Sequence, residues 1–151
     1  MINDIFRVFG EQTAEILFEI ITGCMDDYLY IFDLQNNTFE ISQSAVKRFN
    51  MSKNVLTDAA NEVMKVVYEE DRRMLAKHLA DICEGRENVH NLHYRWLDKE
   101  GMPVWINCRG IVIIDQQGKA EYLVGCLNET GNRRRADNVC LLYTSPSPRD
   151  A

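Results

Sequence analysis

Three histidines and five cysteines are the side chains of this 151-residue chain best suited to metal, haem or nucleophilic chemistry. His90 and His93 stand three apart in a run of strand character. Side chains alternate across a strand, so the two rings are expected on opposite faces and share no metal unless the strand is bulged. His78 lies among Leu75, Leu79 and Ile82, where a neutral imidazole facing a cavity can ligate haem iron. A hydrogen-bonded core histidine fits the same pattern, and neither a metal nor a cofactor, haem included, is expected. Cys24, Cys83, Cys108 and Cys126 show neither C-x-x-C spacing nor a secreted disulfide pattern, and are expected reduced and buried. No Ser-His-Asp arrangement, G-x-S-x-G elbow or G-x-x-x-x-G-K phosphate loop can be placed. The chain as given is therefore not expected to be an enzyme.

The formal charge of −6 argues against nucleic acid and anionic membrane surfaces as partners. The basic run Arg133-Arg134-Arg135 is short and reads as a solvated linker. Near the N-terminus ILFEIITGCM is interrupted by Glu19 and too short to span a bilayer, so the fragment is expected to be cytoplasmic, with no membrane segment of its own.

Any pocket must be positioned by the following elements. Residues 2–24 read as an amphipathic helix, with Ile2, Phe6, Phe9, Ile16 and Ile20 on one stripe and Leu17, Ile21 and Cys24 widening it. That stripe packs either on its own domain or against a second copy as a dimer seam. Tyr28 to Phe32, a turn over 33–37 and Thr38 to Ile41 form a hairpin. Residues 44–67 read as short helices with Phe49, Val55, Leu56, Val63, Met64, Val66 and Val67 apolar. A longer helix opens on Glu69, Glu70 and Asp71 and stops at Gly85, with Met74, Leu75, Leu79, Ile82 and Cys83 facing in. Three strands follow, 89–97, 104–114 and 121–127, joined by the turns DKEG and DQQG and hence antiparallel. Two early and three late strands can form one antiparallel sheet with the helices on one face, an α+β architecture.

HYRWLDKEGMPVW from His93 to Trp105, YEEDRRML from Tyr68, and YLVGCLNET from Tyr122 to Thr130 stand in an order that resembles a PAS domain over about residues 25–131. The usual exit motif Asp-Ile-Thr departs here to Asn128-Glu129-Thr130. The resemblance implies five antiparallel strands in the order 2-1-5-4-3, cupped around helices, and a sensory or interaction module acting through a C-terminal helix. Asn107-Cys108-Arg109 is similar to the tripeptide around the flavin-reactive cysteine of light-sensing relatives, but it sits in a predicted strand and continues Gly-Ile-Val, so flavin is not expected either.

Alternation from His90 sends Leu92, Tyr94 and Trp96 to one face, and with Met64 and Leu79 they are the candidates for lining a small-molecule pocket. A dry, empty pocket of about 300 Å³ costs roughly 7 kcal/mol, comparable to a small domain's whole stability. The interior is therefore expected to be packed, hydrated or occupied.

Four segments result: an N-terminal helix over 1–24, the PAS-like domain over 25–131, a linker stub over 132–139, and residues 140–151. The last are expected to be non-native, because Cys140 to Asp150 can be back-translated into a sequence similar to a transposase sequencing adapter. The stub RRRADNV is similar to the segment preceding GGDEF diguanylate cyclase domains, whose opening reads Asp-x-x-Thr-Gly-Leu. This implies a sensor controlling a missing cyclase that makes cyclic di-GMP from GTP. Control of a histidine kinase, or a purely structural dimerisation role, are the alternatives, and a homodimer through the N-terminal helix is expected.

Overall fold

The computed structural model describes Cys24 and residues 26–130. The segment of residues 1–24 expected to be an amphipathic helix, Cys24 apart, lies outside the described residues, as do the linker stub and the adapter-like tail. Strands β1 (Tyr28–Asp33) and β2 (Thr38–Ile41) form the early hairpin. Helix α1 (Gln43–Arg48), strand β3 (Val55–Thr57) and helix α2 (Ala59–Val66) follow. A 3-10 turn (Glu69–Asp71) leads into helix α3 (Arg72–Cys83). Strands β4 (Val89–Leu97), β5 (Pro103–Ile114) and β6 (Ala120–Glu129) complete the domain.

All the strands make one antiparallel sheet in the order β3-β2-β1-β6-β5-β4. The expected five-stranded sheet is thus corrected to six strands. The relative order of the five anticipated strands holds, and the addition is β3 at the edge, inside the stretch read as helical. Three residues are too few to show a period, yet Val55 and Thr57 are exposed while Leu56 is buried opposite Phe39. That alternation marks a half-buried edge strand.

Each described α-helix contributes to a core on the same face of the sheet: Ala45 from α1, Ala59, Val63 and Val66 from α2, Leu75 and Ile82 from α3. Opposite them lie Tyr30 and Phe32 of β1, Tyr94 and Trp96 of β4, Ile106 and Cys108 of β5, and Leu123 and Leu127 of β6. Helix α3 is narrower inside than its periodicity implied, since Met74 and Cys83 are exposed and only Leu75 and Ile82 are fully buried. Cys24 is exposed as well, so of the four cysteines expected to be buried only Cys108 is fully so, with Cys126 half-buried.

The two late turns share one device. Asp98 Oδ1 accepts from the backbone N–H of Glu100 and Met102, each at 2.9 Å, and Asp115 Oδ1 accepts from Gln117 and Lys119, also at 2.9 Å. Each turn closes with a glycine at φ +79°, Gly101 and Gly118, a conformation that costs a side-chain-bearing residue free energy. This chemistry fixes the β4–β5 and β5–β6 registers and so decides which side chains point into the cup.

Candidate functional site

Strand parity places His90, Leu92, Tyr94 and Trp96 of β4 on the core face, with His93 exposed on the other. Tyr94 and Trp96 are fully buried, whereas Met64, Leu79 and Leu92 are half-buried and pack at the margin of the same core. Trp96 meets Phe49 edge-on at 5.2 Å, and Phe49 meets Tyr28 in the same manner at 5.3 Å, which fills the end of the cup near α1.

The middle of the cup is polar. Cys108 Sγ donates to Tyr30 Oη at 3.3 Å, and Tyr30 Oη donates to the Arg109 carbonyl at 3.4 Å. Burial pushes the Cys108 thiol up to about 11, against hydrogen bonding with Tyr30 and Tyr94, which pulls it down. It therefore stays protonated at neutral pH, the form that is a poor nucleophile. Asn107-Cys108-Arg109 lies in strand β5, with Cys108 facing in and Arg109 out.

At the far end of β4 stands a pair that reading the histidines one at a time does not find. His78 reaches in from α3 and packs against His90, ring centroids 4.9 Å apart. Spacing along the chain separates them by a helix end and a loop, and His93, the histidine nearest to His90 in sequence, faces the other way as expected. The available signal was that His90 shares its parity with Tyr94 and Trp96, while His78 lies one turn from Leu75 and Ile82.

Burial, reinforced by His78, pushes His90 down to about 4. Its unfolded value is about 6.5, so the unfolded chain binds the extra proton and stability falls as pH drops from about 6.5 through 4. The expected loss is about 1.4 kcal/mol by pH 5.5 and about 3 kcal/mol once both states are protonated. Urea denaturation at pH 7.5 and 5.5 measures the first part, in a window where few carboxylates titrate.

Two buried imidazole nitrogens lack a hydrogen-bond partner, His78 Nε2 and His90 Nδ1. Buried polar atoms are ordinarily satisfied, because each lost hydrogen bond to water costs about 1–3 kcal/mol. Among the described residues no three or more His, Cys, Asp or Glu side chains gather where they could hold a metal ion.

The end of the domain is tied to its first helix. Arg48 Nε and Nη2 grip Glu129 Oε2 and Oε1 at 2.9 Å each, with Asp98 beyond at 3.8 Å. Tyr28 Oη donates to the same carboxylate at 3.4 Å. Glu129 stands in the segment where the exit motif departs from Asp-Ile-Thr, and here it fastens the last strand to α1. On the outer face, Arg95 pairs bidentately with Asp71 at 2.7 and 2.9 Å while its guanidinium lies between the rings of Tyr68 and Trp105.

Comparison with known proteins agrees with this fold. The family model for the PAS fold matches residues 38–127, and the chain belongs to that family. No curated protein sequence matches the chain. Among solved structures it is similar to a sensory box histidine kinase/response regulator from Burkholderia thailandensis E264, at 17% identity and TM-score 0.60, covering 83% of this chain and 93% of that one. It is similar at 18% identity and TM-score 0.57 to the N-terminal domain of a diguanylate cyclase with PAS/PAC sensor from Marinobacter aquaeolei, covering 72% of this chain and 98% of that one. A domain of the putative light and redox sensing histidine kinase from Haloarcula marismortui matches at 16% identity and TM-score 0.60, covering 79% and 98%. At such identities these likenesses speak for the fold. Among the described residues no helix is long and apolar enough to cross a membrane.

Proposed function

We propose that this PAS domain is a sensory module that binds a small molecule inside the cup and controls an output domain beyond residue 139, without itself making or breaking bonds. The observation that carries the reading is the pair of unpartnered buried nitrogens on His78 and His90. An interior serving only as packing gains nothing from burying polar atoms unsatisfied. The Arg48–Glu129 clamp offers a route outward, because a ligand that shifts α1 or β6 strains the carboxylate that ends the domain. A typical coupling of about 1–3 kcal/mol is enough to bias a two-state output.

A GGDEF diguanylate cyclase is the output that best agrees with RRRADNV. The sensor of a Marinobacter aquaeolei diguanylate cyclase has a similar fold, as do histidine kinase sensors. Native DNA read past codon 139 decides between them.

A purely structural dimerisation module is the second reading, favoured by the outer face of the sheet. There Val89, Ile111, Val124 and Ile31 form one cross-strand row, and Val89 and Ile111 are 59% and 66% exposed. Such a row suits a second copy of the chain, with the helix of residues 1–24 completing the seam. Melting of the purified protein across a metabolite library separates the readings. The sensory one expects at least one compound to raise the melting temperature by several degrees at 100 Kd, where binding adds about 2.7 kcal/mol. The structural reading expects none.

A further inference from the structure

The His78–His90 pair specifies what kind of molecule the cup can take. His90 is 2% exposed, His78 packs on it, and each ring carries one buried nitrogen with no partner. Beside them the sheet carries two glycines, over which the Tyr30 and Leu123 side chains lean. His90 is paired with Gly110, Gly110 with Gly125, and Gly125 with Tyr30, so the two middle positions of this row carry no side chain. The Tyr30 hydroxyl leans in from the far end, 2.7 Å from where a Cβ on Gly110 would stand.

The chemistry of the surroundings narrows the choice. Among the described residues no lysine or arginine is buried, so a permanent anion such as sulfate would give up its hydration for no cation in return. A divalent cation finds no third ligand and no carboxylate among the described residues. A weak acid meets neither obstacle, because it brings its own proton: the acid R–COOH and a neutral imidazole become R–COO⁻ and imidazolium, with no net charge entering the core. Its two oxygens then accept one N–H from each ring, the second imidazole adopting whichever tautomer puts its proton on the free nitrogen.

The titratable groups around His90 do not interfere. Of His78 on α3, Cys108 on β5, Tyr30 on β1 and Tyr94 on β4 itself, only His78 acts on its charge. Asp81, on the same helix as His78, is already engaged by Lys77 and Arg86.

We propose that the His78–His90 pair recognises a small monocarboxylic acid, whose carboxyl group bridges the two unpartnered imidazole nitrogens. This rests on reading the cup interior as the sensing site.

The test is calorimetric titration of the full chain with benzoate and with butyrate at pH 6 and pH 8, using benzamide and butyramide as uncharged controls of like shape. One proton accompanies each carboxylate, so affinity is expected to rise about tenfold per pH unit of acidification, roughly a hundredfold in all. The amides are expected to bind at least about tenfold more weakly at pH 6, having lost the charge-assisted contact. The double variant His78→Gln/His90→Gln keeps the donors but has no ring that can become cationic, and it is expected to abolish the pH dependence. Imidazole ¹⁵N shifts of the unaltered protein, moving to the imidazolium range when benzoate is added at pH 6, give the same answer without relying on the variant to fold. Equal binding at the two pH values, or equal binding of the amides, overturns the carboxylate assignment. So does failure of both acids while other metabolites raise the melting temperature, an outcome that leaves the sensing reading standing. Silence towards every compound overturns both.

Discussion

Gly125→Ala is expected to unfold the domain or force β5 and β6 out of register, with a loss of about 4 kcal/mol or more from a total of roughly 5–15 kcal/mol. A Cβ built on Gly125 lies 1.8 Å from the Arg109 carbonyl oxygen and 2.5 Å from the Gly110 Cα. Those are backbone atoms in the middle of the sheet, held by the β5–β6 ladder on one side and the β4–β5 ladder on the other, so no rotamer change relieves the contact. Gly110→Ala is the informative comparison. Its nearest neighbour is the Tyr30 hydroxyl, a side-chain atom and not fixed backbone, with the Val124 carbonyl next at 3.0 Å. The expected order is therefore a severe loss at Gly125 and a milder one at Gly110, read as urea midpoints, or as insoluble expression for the first.

Trp96→Ala is expected to lower stability by about 3–5 kcal/mol, a fall in melting temperature on the order of 20 °C. Trp96 is 1% exposed and braces Phe49, which braces Tyr28. Removing it leaves a void between β4 and the segment after α1 that two rings on a stiff backbone cannot fill. Trp96→Phe keeps most of the aromatic volume, so its cost is expected to be under half that of alanine. Thermal denaturation of the two variants side by side provides the check.

Much of this was legible in the sequence because the signals were local. The Asp and Gly positions of DKEG and DQQG announce tight turns, and two tight turns in succession leave an antiparallel meander as the outcome. Alternation along β4 likewise indicated that Tyr94 and Trp96 share a face. What escaped was of two kinds. Strand β3 escaped because three residues carry no measurable period, and because its strand character comes from pairing with β2, a tertiary partner. The His78–His90 contact escaped because it depends on how α3 is laid against β4, a relation fixed by packing around Leu75 and Ile82 rather than by spacing along the chain. The Arg48–Glu129 clamp is of the same type, joining residues 81 positions apart.

The most direct measurement is the stability of His90→Leu against the unaltered protein, by urea denaturation at pH 7.5 and 5.5. If the cup holds a nitrogen that waits for a ligand, carbon in its place costs nothing: the variant should be at least as stable at pH 7.5, and the loss of about 1.4 kcal/mol at pH 5.5 should vanish. A variant weaker by about 1 kcal/mol or more at pH 7.5 would contradict this, because the imidazole would then have been satisfied within the chain, leaving nothing for a signal molecule to complete.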